Sequence, residues 1–197
     1  MKTGRQIAIA LLLGAGALAG CTPAGTERPG SAAAEATAVP SKAAAIDSAV
    51  QASLLDLYRA APGAQALVEQ AAGVLVFPSI TEAGFIAGVE YGQGALRVGD
   101  RITGYYSITG GSVGLTAGVQ QSAQAILFTT QQSLNDFLNS NGWTVGVDAS
   151  VALLKVGAGG TIDTQTANSP VQAIVYNTSG LMADVAISGQ RITRINP

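Results

Sequence analysis

Histidine is absent from this chain of 197 residues. That excludes Ser-His-Asp and Cys-His catalysis, histidine-ligated metals and imidazole pH switches. The single cysteine forms no internal disulfide and cannot assemble a thiolate metal site alone. Charge is scarce as well: 11% of the residues are charged, against about 25% in an ordinary soluble domain. Ten basic and twelve acidic residues leave a net charge of -2, so no basic field exists to hold a nucleic-acid backbone. Apolar residues, at 48%, are plentiful enough for a sizeable core, which excludes wholesale disorder. The composition therefore points away from most enzymes, and no cofactor, metal or nucleic-acid partner is expected.

The first twenty residues read as an address. Lys2 and Arg5 precede an apolar run from Ile7 to Ala19, the layout of a secretory signal. Thirteen residues span roughly 20 Å as a helix, short of the ~30 Å hydrocarbon core. The run ends in Leu18-Ala19-Gly20-Cys21, which resembles a bacterial lipobox, whose cysteine is acylated and becomes the first mature residue. The other reading is an incidental thiol beside an ordinary cleavage site. Removal of residues 1–20 takes away Lys2 and Arg5 and no acid, so the mature chain carries -4 instead of -2. Each buried methylene of an acyl chain such as palmitate contributes about 0.8 kcal/mol, and stable anchoring takes two such signals. Thr22, where an aspartate would favour inner-membrane retention, implies an outer-membrane location by resemblance to enteric lipoprotein sorting.

Residues 21–41 contain Pro23, Pro29 and Pro40 without apolar periodicity and read as a flexible tether. The folded domain is expected over residues 42–197. Ile46, Val50, Leu54 and Leu57 form one stripe of an amphipathic helix, stopped by Pro62. Ala64, Leu67, Val68 and Ala71 suggest a second helix closed by Gly73 in the C-cap role. From Gly73 the texture turns to β, with a first short strand closed by Pro78. A quasi-repeat follows: Gly84 to Glu90, Gly114 to Gln120 and Gly142 to Asp148 each read Gly, large apolar, two variable positions, Gly, Val, and an acid or amide. Taken as three strands, they place Phe85, Ala87, Val89 and Tyr91 on one face, and Trp143, Val145, Val147, Ala149 and Val151 on another. Further strands are expected at Leu96–Val98, Ile102–Ile108, Ala125–Thr129, Gln172–Tyr176, Leu181–Ile187 and Arg191–Ile195. One helix interrupts them at Leu134–Leu138, with Thr130 as its N-cap. Glycines recurring inside strands indicate tight curvature or a close approach to the backbone. The expected fold is α+β: a strongly curved, mainly antiparallel sheet or small barrel with two N-terminal helices and one inserted helix.

Motifs with chemistry are few. Gly110-Gly111-Ser112-Val113-Gly114 matches the G-x-S-x-G nucleophile elbow, but the elbow needs a strand-to-helix turn and a histidine base. Gly157-Ala158-Gly159-Gly160 lacks the lysine and hydroxyl residue of a phosphate-binding loop and opens no helix. Glu90 and Asp148 occupy matching repeat positions, so a facing carboxylate pair for acid/base work or a hard cation is one reading, and two solvated carboxylates the other.

The ordered series Gly73-Val74-Leu75-Val76-Phe77-Pro78-Ser79, Glu90-Tyr91-Gly92-Gln93-Gly94, Gly104-Tyr105-Tyr106, Gly142-Trp143-Thr144-Val145-Gly146 and Gly180-Leu181-Met182 resembles the SYLF domain family over roughly residues 44–195. The resemblance implies a non-enzymatic lipid-binding module. A headgroup phosphate needs cations or backbone N–H groups, and Arg97, Arg101, Arg191 and Arg194 are the candidate headgroup-binding residues, with Lys155 a further cation. The expected protein is a cell-envelope lipoprotein anchored through Cys21 with membrane phospholipid as its partner. The alternative is a structural or interaction lipoprotein of the outer membrane that contacts envelope proteins or peptidoglycan and takes no small ligand. A metal-assisted hydrolase would need a ligand cluster that the scattered acids do not supply.

Overall fold

The computed structural model describes residues 40–84, 87–113, 118–154, 169–179, 187 and 189–197. Among the described residues it has three helices, α1 (Lys42–Ala60), α2 (Gly63–Gln70) and α3 (Gln131–Leu138). The strands are β1 (Gly73–Gly84), β2 (Ala87–Val98), β3 (Arg101–Val113), β4 (Gly118–Phe128), β5 (Trp143–Thr144), β6 (Val151–Leu154), β7 (Val171–Ser179) and β8 (Arg191–Ile195). The stripe of Ile46, Val50, Leu54 and Leu57 is buried along α1. Ser41 caps that helix, accepting from the Ala44 N–H at 3.2 Å. Pro62 does more than stop α1: with φ of -55° it opens α2, since its ring presets a helical φ and an N–H there has no partner to lose. Gly73 is not the C-cap of α2. Ala71 takes that place in an extended conformation, the chain needs no left-handed turn, and Gly73 becomes the first residue of β1.

The strands form one sheet in the order β5-β8-β3-β2-β1-β4-β7-β6. Every pairing is antiparallel except β6 with β7. β1 does not end at Pro78. Its register shifts between Val76 and Ser79 against β2 and between Phe77 and Ile80 against β4, so the proline sits in a bulge where its missing N–H breaks no ladder. Gly94 lies opposite, where a Cβ would collide with the Val76 carbonyl oxygen. Bulge and glycine together let the long central strands coil, and the sheet curls into a half-barrel. This is the curved α+β architecture expected from the glycine-bearing strands.

Each face of the sheet has its own core. On the outer side, α1 and α2 cover Val74, Val76, Ala95, Ala123, Ala125, Leu127, Ile174 and Tyr176. On the inner side, Leu75, Phe77, Leu96, Ile108, Ile126 and Phe128 pack with Leu134 and Phe137 of α3 and with Trp143. The alternation Val74/Leu75/Val76/Phe77 between the two cores is the period of two of a strand buried on both faces. The Phe137 ring lies 4.8 Å from Phe128, 5.0 Å from Tyr106 and 5.7 Å from Trp143, so α3 is fixed by aromatic packing. Thr130 caps α3 as expected, accepting from the Ser133 N–H at 3.1 Å.

The quasi-repeat is not three strands. Its first copy starts on the last residue of β1 and ends inside β2. The second starts outside the described residues and ends in β4. In the third, β5 stops at Thr144; Gly146 has φ of 80° and Val145 bridges back to Ala149. The chain turns there, which leaves Val147 76% exposed instead of on an apolar face with Trp143. A left-handed glycine thus reverses a segment whose alternation alone reads as a strand. Of the strand expected at Leu181–Ile187, only Ile187 lies within the described residues.

Candidate functional site

The hairpin joining β2 to β3 has a two-residue turn, Gly99-Asp100, with Gly99 at φ of 57°. Glycine at the first central position suits such a turn. The turn places Arg97 and Arg101 on either side of it, and both line a cavity of about 750 Å³ under α1. Asp47, Val50, Gln51 and Leu54 supply its helical wall, and Ile102 and Tyr105 its floor. Val50 and Leu54 belong to the stripe that seats α1, so the packing of the helix also shapes the cavity.

Four charged groups line this cavity, two of each sign. Arg97 donates from Nη2 to Asp100 Oδ1 at 2.8 Å. The Asp100 side chain is 98% exposed and that of Arg97 29%, so the pair sits at the rim. Asp47 Oδ1 is closed off from solvent and has no hydrogen-bond partner. The Tyr105 hydroxyl lies beside the Asp47 carboxylate; burial first, then the bond to Asp47 and its charge, raise the phenol above its ordinary value. Arg97 also borders a second cavity, of about 410 Å³, with Tyr58 and Glu69. Burial raises the Tyr58 phenol, which Arg97 partly offsets.

The four candidate arginines do not form one cluster. Arg191 and Arg194 lie three residues apart on β8 and so point to opposite faces. Arg191 packs over Gly142, where a Cβ would come within 2.7 Å of its Nη2. Arg194 pairs in register with Tyr106 and lines a smaller hollow with Phe137 and Asn141. Cys21, Lys155 and the Gly157–Gly160 run lie outside the described residues. Sequence reasoning missed Asp47 and Tyr105. The available signal was an acid flanking the apolar stripe of α1, next to positions that are buried.

The carboxylates singled out by the repeat are separated. Asp148 sits in the turn after β5 and accepts from the Thr144 N–H at 2.5 Å. Glu90 points to the inner face, where its carboxylate lies over Gly110, whose missing side chain leaves the room. Gln190 donates to Glu90 Oε2 at 3.2 Å, and Gln124 donates to Gln190 Oε1 at 3.2 Å. Burial raises the Glu90 pKa, the Gln190 bond lowers it, and Glu82, directly across on β1, raises it. Among the described residues no three histidine, cysteine or acidic side chains come together as a metal site. Ser112 lies within β3, paired with Gly88, which is not the strand-to-helix turn of a nucleophile elbow.

A second surface feature lies beyond the first turn of α1. Val89, Ala83 and Val119 stand directly opposite one another on β2, β1 and β4. Val89 is 71% and Val119 65% exposed, and the neighbouring Ala87 and Tyr91 are exposed as well. None of these residues is charged. Tyr91 and Thr81 meet Lys42, Ala45 and Ile46 across a shallow hollow of about 400 Å³, so the row lies on the same side of the sheet as α1.

No curated protein matches the chain. Residues 109–196 match the model of a family described as Ysc84, Las17-binding protein actin regulator. The match runs from the second half of β3 through β8 and covers Arg191 and Arg194, while the cavity of Arg97 and Arg101 lies before it. With the ordered motifs and the curled sheet, this match makes residues 109–196 similar to the Ysc84, or SYLF, domain.

Proposed function

We propose that this is a lipid-anchored protein of the bacterial cell envelope, held in the outer membrane through acylated Cys21, whose domain binds phospholipid without catalysis. The observation that carries this reading is the cavity of about 750 Å³ with Arg97 and Arg101 on its wall. Its volume lies in the range of small-ligand sites, and guanidinium groups suit phosphate oxygens. The uncharged row of Val89, Ala83 and Val119 on the same side of the sheet supports contact with an apolar phase. The lipobox resemblance and the proline-bearing tether of residues 21–41 support an anchor with reach.

Native mass spectrometry of the full chain carrying Cys21→Ser, incubated with defined phospholipids, tests the reading. Retained lipid is the expected result, with retention reduced at least fivefold when Arg97 and Arg101 are both alanine. Absence of retained lipid across anionic and zwitterionic classes contradicts it and directs attention to protein partners.

A further inference from the structure

The cavity under α1 is balanced in charge, and its two carboxylates differ in kind. Asp100 is at the rim, held by Arg97. Asp47 stands on the helical wall and makes no ion pair with another described residue. A carboxylate on a cavity wall without a partner cation favours a positive group beside it. An anionic headgroup would meet Arg101 and Arg97 favourably and Asp47 unfavourably. A group carrying both charges satisfies all three.

We infer that the ligand of this cavity is a zwitterionic phosphoethanolamine group, its phosphodiester on the Arg101 and Arg97 guanidinium groups and its primary ammonium on Asp47. The inference rests on the phospholipid-binding reading and names the lipid class. A primary ammonium offers three N–H donors, and its bond to a carboxylate is charge-assisted. A trimethylammonium has no N–H to donate to the Asp47 carboxylate, so choline lipids bind more weakly. A glycerol headgroup has hydroxyl donors but leaves the phosphate charge uncompensated beside Asp47. Tyr105 stands on the floor of the same cavity.

The test is titration of the full chain carrying Cys21→Ser with dihexanoyl phosphatidylethanolamine, dihexanoyl phosphatidylglycerol and glycerophosphoethanolamine, followed by native mass spectrometry. The unaltered cavity is expected to prefer the ethanolamine lipid over the glycerol lipid about tenfold. Asp47→Asn, which keeps the side-chain shape, is expected to erase that preference, and Arg101→Ala to weaken both lipids. Glycerophosphoethanolamine binding as tightly as the lipid also supports the headgroup chemistry and identifies a soluble phosphoester as the source. Equal binding of the two lipids, or a preference that survives Asp47→Asn, overturns the inference while lipid binding stands. Binding of neither lipid overturns both.

Discussion

The Ser53 and Tyr176 hydroxyl oxygens stand 2.8 Å apart in a buried contact that ties α1 to β7. The two residues are 123 positions apart in the chain, so the bond forms only once the helix is seated on the sheet. It fixes the helix whose next turn toward the N-terminus lines the arginine cavity. Ser53→Ala or Tyr176→Phe leaves one buried hydroxyl without its partner and is expected to cost about 1–3 kcal/mol. The double variant should cost less than the two singles added. Urea denaturation of the four proteins measures this, and strict additivity would show that the hydroxyls do not interact.

Burial raises the Tyr176 phenol to about 12, with the Ser53 bond lowering it and Asp56 and Tyr58 raising it. Unfolded tyrosine ionises near 10. Below that pH the stabilisation is fully present. As pH rises from about 10 to about 12 the unfolded chain loses its proton first, so stability falls through that window. The shift corresponds to on the order of 2–3 kcal/mol for this one group. Denaturation midpoints at pH 9 and 11.5 are expected to drop more for the native chain than for Tyr176→Phe.

At the bulge of β1, Gly94→Ala would drive a Cβ into the Val76 carbonyl and the Phe77 ring. Neither can withdraw, because one is backbone and the other is fully buried. The expected loss is about 2 kcal/mol or more. Gly63→Ala at the start of α2, with nothing within 4 Å of the new Cβ, is expected to be neutral or to stabilise by about 0.5–1 kcal/mol. Thermal melts of both variants separate a glycine required by close approach from one that is not.

If the uncharged row on β2, β1 and β4 touches the bilayer, charge placed there weakens the contact. Val89→Asp with Val119→Asp is expected to reduce flotation of the mature chain, residues 21–197 carrying Cys21→Ser, with phospholipid vesicles about tenfold. Its melting temperature should stay nearly unchanged, since both side chains are mostly exposed. Unchanged flotation would remove this row from the membrane-facing surface.

Local patterns made much of the fold legible. The i, i+4 stripe of α1, the Thr130 cap of α3 and the strand at Arg191–Ile195 are each set by neighbours a few residues apart, and each stands where the sequence places it. What misled was pattern without direction. Alternation around Gly146 looks the same whether the chain runs straight or reverses, and Pro78 looks like a stop unless the bulge that accommodates it is known. At the site, Arg97 and Arg101 were visible as cations about a turn. Asp47 was not, because its place on the same cavity as Tyr105 depends on how α1 lies on the sheet, and the two are more than fifty residues apart in the chain.

The central claim, that the domain takes phospholipid in the cavity between α1 and the β2–β3 hairpin, is tested most directly by nuclear magnetic resonance. The full chain carrying Cys21→Ser would be labelled with nitrogen-15 and titrated with dihexanoyl phosphatidylethanolamine. The account predicts saturable shifts concentrated at Asp47, Gln51, Arg97, Arg101 and Tyr105, lost when Arg97 and Arg101 are alanine. Shifts confined to Arg191 and Arg194 on β8, or none at all at saturating lipid, would contradict it.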